Sequence, residues 1–392
     1  MNAYVKRDLY LNRLIVRRDN GQIKAITGPR RSGKSFLLDP IYKDYLLSKG
    51  VPEDNIIIIS FDIEDEDTPQ ELLDREKLKE YLYSRIASQT ENYYVFLDEI
   101  QEVDGFERIV NGLNKRQNVD VYVTGSNSKF LSSEINTIFR GRSDEVSVLP
   151  FTFREFCQDR QESVNDLWKE YYTYGGLPAL RKMPTAEQKT TYLQKLWKKT
   201  YLDDVVERHN VENREALEAI ADALCSSIDS LTNTTRITNT LGSVRKIKIT
   251  DDTVAKYIGY LEEAFLFNEA RRYNIKGNKY YENIKKYYSI DVGLRNARLN
   301  YRQLEQTHLM ENIIFNELLY RGYVVDVGVV EHRKMVDGKS EYKQYEVDFI
   351  ATDGNEKYYI QSAYEIETEE KREQELNSLK RIDDSFQKIV IV

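Results

Sequence analysis

The sequence predicts a multidomain α/β protein, and three observations carry that prediction. Gly28-Pro29-Arg30-Arg31-Ser32-Gly33-Lys34-Ser35 is a glycine-bounded loop between a strand-like run and an amphipathic stretch. Apolar runs of strand length recur at residues 22–27, 56–61, 93–97 and 119–124. The last third again mixes helix-like and strand-like segments. At 392 residues the chain exceeds what one hydrophobic core supports. Three regions are expected: a parallel-sheet domain over 1–160, a helical domain over 161–290, and an α/β domain over 291–392.

The first strand, Gln22-Ile23-Lys24-Ala25-Ile26-Thr27, runs into the loop. Gly, four residues, then Gly-Lys-Ser is the spacing that wraps successive backbone N–H groups around a polyphosphate. Gly28, Pro29, Arg30, Arg31, Ser32, Gly33, Lys34, Ser35 and Phe36 are therefore the candidate nucleotide-binding residues. Lys34 would reach the β- and γ-phosphates, and the Ser35 hydroxyl would hold Mg²⁺. Phe36, Leu37, Ile41, Tyr45 and Leu46 recur at helical spacing, predicting a helix over 34–49 that stops at Gly50. Its N-terminus adds positive dipole to the site.

Ile56-Ile57-Ile58-Ile59-Ser60-Phe61 reads as a buried strand. Tyr93-Tyr94-Val95-Phe96-Leu97-Asp98-Glu99 is another, with two carboxylates at its carboxyl end, where open α/β sheets bind ligands. Asp98 is the candidate metal carboxylate, and Glu99 the candidate base or water-positioning group. Val119–Thr124 is a further strand that leads into Gly125-Ser126-Asn127-Ser128. Thr124, Ser126 and Asn127 are candidates for a polar sensor of the γ-phosphate, against the alternative of an ordinary polar turn. Arg140 or Arg142 could supply a guanidinium to the phosphates, in cis or from a neighbouring subunit. An exposed arginine pair is the other reading.

In the middle region, Ile237–Gly242 reads as a helix ending at Gly242, and 251–261 as a second helix capped by Thr250 or Asp251. Val254, Tyr257, Ile258 and Leu261 fall on one of its faces. Phe265-Leu266-Phe267 leads to the basic Arg271-Arg272 segment. Helix, turn, helix and strand pair is the winged-helix order, a fold that serves either as a DNA-binding or as a packing module. Residues 236–290 hold eleven Lys or Arg against six acids. DNA contact through 236–290, with Arg271 and Arg272 on phosphates, is one expectation, and a protein partner is the other.

Further on, 311–319 reads as a helix, 322–327 as a strand, and 345–350 and 357–364 as a strand pair. The order resembles the restriction-endonuclease-like core. That core needs an acid on the helix, an Asp, and a Glu-x-Lys triplet. Glu311 (or Glu317) and Asp348 stand in place, but the triplet is Gln361-Ser362-Ala363. An uncharged amide is a poorer Mg²⁺ ligand than a carboxylate, and alanine cannot activate water. No nuclease activity is expected. The chain closes on Lys388–Val392, inside a strand-like run, the pattern expected where a further strand and helix follow.

Composition narrows the class. Sixty-five acids against 57 Lys and Arg leave a net charge of −8, which argues against indiscriminate nucleic-acid binding. Apolar runs are strand-sized, so no membrane span and no signal segment are expected. Two cysteines imply no disulfide framework, and the three histidines lack metal-ligand spacing. A cytoplasmic protein is expected.

Taken together, the motifs resemble a large prokaryotic family of AAA-like P-loop ATPases with a C-terminal nuclease-like domain of uncharacterised function. The resemblance rests on Lys6–Leu11, Thr27–Ser35, Leu97–Gln101, Thr124–Ser128, Phe139–Arg142, Pro150–Phe156 and Tyr174–Pro178, in that order along the chain. It implies ATP rather than GTP, with Mg²⁺, and hydrolysis by Lys34, Glu99, Asn127 and Arg142. A homo-oligomer is compatible with an arginine acting in trans. The expected function is Mg·ATP hydrolysis coupled to nucleic-acid or protein binding by the C-terminal half. The rival is a nucleotide-dependent binding switch with hardly any turnover. Gly175-Gly176 is read as a hinge or a simple turn.

Overall fold

The computed structural model describes residues 4–62, 70–125, 137–139, 141–336, 339–366 and 368–392. Ser126, Asn127, Ser128 and Arg140 lie outside the described residues. The chain forms two compact units, residues 1–159 and 160–392.

The first unit is built on a parallel sheet of β1 (Ile23–Thr27), β2 (Ile56–Ser60), β3 (Tyr93–Asp98), β4 (Val119–Thr124) and β5 (Ser143–Ser147). The strand order is β2-β3-β4-β1-β5, and every pair is parallel. β4 therefore lies between the loop-bearing β1 and the acid-bearing β3. Alternation assigns Ile23, Ala25, Val95, Leu97, Val121 and Val123 to one face, where they form the core with Leu78, Leu82, Phe106 and Val110. The opposite face carries Phe96 and Tyr122, packed on Tyr42. It also holds a buried Lys24–Asp120 ion pair. Asp120 accepts the Tyr122 hydroxyl at 2.8 Å, and the hydroxyls of Tyr42 and Tyr122 meet at 2.7 Å.

Two features depart from the sequence expectation. β5 reads Ser-Asp-Glu-Val-Ser and has only one fully buried position, so an edge strand escaped apolar patterning. The expected helix over 34–49 is broken: Lys34–Phe36 and Lys43–Ser48 are helical, and Asp39 between them is not. Pro40 accounts for the break, because it lacks an N–H and its ring restricts the preceding residue.

The second unit begins with helices packed around Trp197, Leu217, Ile220 and Leu261. The helices Thr234–Thr240 and Asp251–Glu263 follow one another, joined by a π-helical turn, Leu241–Arg245, and an irregular stretch. The helical path does not end at Gly242, because the π-helical turn carries it on to Arg245. The second starts where expected, with Thr250 accepting the Thr253 N–H, and it buries Val254, Tyr257, Ile258 and Leu261. A hairpin of β6 (Phe267–Asn274) and β7 (Lys279–Ser289) comes next.

β6 then pairs in parallel with β8 (Val324–Val336). β9 (Lys339–Asp353), β10 (Glu356–Ser362) and β11 (Gln387–Ile391) complete one sheet, ordered β11-β10-β9-β8-β6-β7. The sheet thereby runs across the expected boundary at 290/291. The hairpin before it is hydrogen-bonded into the same sheet as the strands after it.

The Gly175-Gly176 hinge is corrected. The helix Val164–Tyr174 ends against the start of the helix Val292–Arg298. The buried Asp291 carboxylate accepts the Gly176 N–H at 2.8 Å and the Leu294 N–H at 3.0 Å. A Cβ at Gly293 would stand 1.8 Å from the Tyr174 carbonyl oxygen. Backbone meets backbone here, which makes the segment a packed junction.

Gly293→Ala is expected to destabilise this unit by about 3 kcal/mol or more, since no side chain can yield to relieve the clash. Gly259, inside the helix Asp251–Glu263, has no atom within 4 Å of its would-be Cβ. Gly259→Ala should stabilise by about 0.5–1 kcal/mol. Urea denaturation of the two variants checks the contrast in sign.

Candidate functional site

The loop between β1 and the helix at Lys34 adopts a conformation that ordinary residues resist. Gly28, Arg31 and Gly33 have φ of 131°, 62° and 93°. A Cβ at Gly28 would lie 2.2 Å from the Val148 carbonyl oxygen. Gly28 is glycine for two reasons at once, its dihedral and the approach of the chain behind it. Ser32 is fully buried, and its hydroxyl has no hydrogen-bond partner among the described residues. Lys34 is buried and donates to the carbonyl oxygens of Gly28 at 3.1 Å and Pro29 at 3.0 Å. Burial pulls its pKa down, and Glu99 and Asp98 oppose that shift. Phe36 is half exposed and its ring meets Tyr4 edge-on at 5.7 Å.

Asp98 is where the pieces converge. Its Oδ1 accepts the Ser35 hydroxyl at 2.9 Å and the Thr124 hydroxyl at 2.6 Å. Thr124 in turn accepts the Glu99 N–H at 2.9 Å. The parallel register makes this possible. Leu97 is level with Val123, so Asp98 and Thr124 end adjacent strands side by side. Burial raises the Asp98 pKa, Glu99 adds to the rise, and the two hydroxyls and Lys34 oppose it. Glu99 takes the left-handed conformation with φ 51°, and its Oε2 accepts the Gln101 amide at 2.6 Å.

The residues fit a magnesium polyphosphate. A hydroxyl and a carboxylate stand together as hard oxygen ligands, an ammonium lies in the same loop, and the Ser32 hydroxyl has bonding capacity to spare. Lys34, Ser35, Asp98, Glu99 and Thr124 are thus brought to one place. Asn127 lies outside the described residues. Arg142 is not brought there. Its carbonyl accepts the Ile23 N–H at 2.8 Å, and the next residue is level with Ile23 at the start of β1. The loop leaves β1 at the other end, roughly 13 Å along the strand at 3.3 Å per residue. Within one chain the Arg142 backbone therefore stands at the opposite end of the strands from a phosphate bound in the loop.

Arg7, which no local sequence pattern marks, braces the loop from behind. Its guanidinium, 3% exposed, donates to Ser32 O at 3.1 Å, Leu149 O at 2.8 Å and Glu155 Oε1 at 3.0 Å. The rings of Tyr10 and Phe151 pack on it at 4.6 and 5.0 Å. Glu155 is fixed by a capping box with Thr152 at the head of the helix Phe153–Phe156. The Thr-x-x-Glu spacing was a legible signal for that cap. Nothing local pointed to a partner 148 residues earlier.

Arg7→Met is expected to cost about 3–5 kcal/mol, because it leaves the Glu155 carboxylate buried without its cation. Arg7→Met with Glu155→Gln should cost less than the sum of the single changes. Denaturant melts of the three variants measure the coupling.

Comparison with known proteins adds the family. Residues 20–157 match the AAA domain, and residues 165–305 match a domain of unknown function (DUF8612). An uncharacterized protein of Haemophilus influenzae is 35% identical over 394 residues, covering 99% of this chain and 93% of that protein. Uncharacterized protein MJ1544 of Methanocaldococcus jannaschii is 30% identical over 366 residues, covering 90% of this chain and 77% of that one. Among solved structures, the Aeropyrum pernix ORC1 protein in complex with DNA matches at 14% identity and a TM-score of 0.30, over 76% of this chain and 94% of that one. Among the described residues no helix is long and apolar enough to cross a membrane. With these two relatives aligned along most of their length and an AAA domain over the phosphate loop, the chain belongs to their family of AAA-domain, P-loop ATPase-like proteins.

Proposed function

We propose that the protein binds Mg·ATP at the loop Gly28–Ser35 and hydrolyses it, and that the nucleotide governs what the second unit binds. The observation that carries this reading is the Asp98 carboxylate, shared by Ser35 and Thr124 at the mouth of the loop. Magnesium, held by Ser35 and Asp98, would offset phosphate charge and orient the γ-phosphate. The backbone N–H groups of the loop and Lys34 bind the β- and γ-phosphates, Lys34 giving up its contacts to Gly28 and Pro29. Glu99 accepts a proton from the attacking water, or holds that water in line. Thr124 keeps Asp98 and the Glu99 backbone in register, so it serves as a positioning residue. Asn127 is retained as the candidate γ-phosphate sensor and Arg142 as a guanidinium supplied in trans, a reading supported by its backbone lying at the opposite end of the strands from the loop.

One contact favours the slower alternative, a nucleotide-dependent switch. Gln101 donates to a Glu99 carboxylate oxygen at 2.6 Å and so competes with a water for it. Replacing Gln101 tells the two readings apart.

For the second unit, helix, turn, helix and hairpin are compatible with a winged-helix module, and the helix Gln306–Arg321 with β8–β10 with a nuclease-like core. The DNA-contact expectation moves within 236–290. Arg272 is buried and donates to Gln344 at 3.1 Å, and Arg271 stacks on Tyr280 at 4.0 Å near Asp326. Lys246 and Lys248, between the two helices, are exposed, whereas Arg245 beside them pairs with Asp222 at 2.8 Å. The two lysines are the better candidates for phosphate contact. A protein partner is the other target class.

Steady-state ATP hydrolysis tests the core of the proposal. Lys34→Ala and Glu99→Gln should each abolish turnover, with Glu99→Gln still binding ATP. Gln101→Ala should raise turnover if the amide restrains Glu99. Tight ATP binding with no turnover in wild type or Gln101→Ala would leave the switch as the reading. Mg²⁺-dependent affinity should fall on acidification, beginning above the usual carboxylate range, because protonated Asp98 is favoured by burial and cannot hold the cation. Lys246→Ala with Lys248→Ala should flatten the salt dependence of DNA binding by a slope of about 1.8, at ~0.9 per phosphate contact. An unchanged slope would remove DNA from this segment.

A further inference from the structure

The second unit contains a buried charge centre that the nucleotide reading does not use. Lys286 comes from β7, Glu311 from the helix Gln306–Arg321, and Glu346 and Asp348 from β9. Lys286, Glu311 and Asp348 are each less than 9% exposed. The Lys286 ammonium lies 2.9 Å from Glu311 Oε1 and 2.7 Å from Glu346 Oε1. Glu311 Oε1 also accepts the Tyr288 hydroxyl at 2.6 Å. Asp348 accepts the Gln361 amide at 3.0 Å and the Ser362 N–H at 2.7 Å. The acid alternatives on the helix are thereby separated, since Glu317 pairs with Arg321 instead.

These are the positions that a metal-dependent nuclease of this layout would load with a divalent cation, and the residues present do not fit one. Gln361 brings an amide where a third carboxylate is needed. A cation is already present in Lys286, bonded to two of the acids. Two residues after Gln361, where the endonuclease-like pattern places a lysine, stands Ala363. Lys286 comes instead from β7, which is not a neighbour of β9 in the sheet. Register shifts at Arg271/Arg272 and Asp326/Gly328 interrupt the ladders between those strands. Extra residues in a ladder bend and twist a strand, which brings distant positions together.

We propose that Lys286 is a resident cation: its ammonium takes the place of a divalent metal among Glu311, Glu346 and Asp348, and the centre is metal-free by construction. Burial alone would lower the Lys286 pKa, and the three carboxylates outweigh it, so the ammonium stays charged. Burial and the neighbouring acids push Asp348 and Glu311 upward. A fourth acid, Asp229, adds to the field at Glu311 and is held by His308 Nδ1 at 2.6 Å. One ammonium thus serves an acid-rich centre, and removing it would leave a site with strong cation demand.

Mn²⁺ is the probe, titrated into the nucleotide-free full-length protein and followed by electron paramagnetic resonance and by thermal melting. Wild type and Asp348→Asn should take up Mn²⁺ equally. Lys286→Met should melt at lower temperature, gain one Mn²⁺ per chain, and recover at least half of the lost melting temperature in millimolar Mn²⁺. Lys286→Met with Asp348→Asn should lose that ion. The proposal is overturned if folded Lys286→Met gains no Mn²⁺. It is also overturned if wild type binds an ion that Ser35→Ala leaves in place and Asp348→Asn removes. This second comparison decides the matter even where Lys286→Met does not fold.

Discussion

Asp98 is buried at the carboxyl end of β3, and a buried carboxylate must be hydrogen-bonded or neutralised. The first unit is arranged around that constraint. β4 lies next to β3 so that Thr124 can donate to Asp98. The phosphate loop turns so that Ser35 can do the same. Remove the parallel register of β3 and β4 and both bonds fail together, because a one-residue slip sends Thr124 to the other face of the sheet. The same geometry that satisfies the carboxylate collects oxygen ligands, an ammonium and a second carboxylate in one place.

Three buried cations recur as organising elements, each in a different role. Lys24 pairs with Asp120 beneath the aromatic face of the sheet. Arg7 ties the opening helix, the phosphate loop and the Leu149–Glu155 stretch to one guanidinium. Its planar fork of donors is what allows one side chain to serve three acceptors. Lys286 sits among carboxylates in the second unit. Such pairs add little net stability over a well-packed apolar core, because desolvation offsets the attraction. What they impose is geometry, since breaking one leaves a buried charge with nowhere to go.

The second unit corrects the view of the chain as a string of separate modules. The helix pair and hairpin follow one another as the sequence suggested, but the hairpin is the edge of the large sheet. Arg271 and Arg272 illustrate the consequence. In sequence they are an exposed basic dipeptide. In the sheet, strand alternation sends them to opposite faces, where Arg272 is buried against Tyr281 and Gln344. Gly175-Gly176 behaves alike, a flexible-looking pair that is locked because Asp291 fills the space beside it.

The sequence by itself determined the features whose physics is local. The phosphate loop, the four apolar strands of the first sheet, the acidic strand end and the cap of the helix at Asp251 are all encoded within a few residues, by hydrophobic period, glycine dihedrals and hydroxyl capping. The edge strand β5 was hidden because one buried valine makes no pattern. The break at Asp39 was outweighed by the helical spacing around it. Tertiary structure alone decided which charges meet. Arg7 finds Glu155 across 148 positions, Lys286 finds Glu346 from a strand that is not its neighbour, and the Arg142 backbone is left at the opposite end of the strands from the loop. Electrostatic satisfaction acts between groups that are near in space, and the sheet order that makes them near is set by the packing of whole elements.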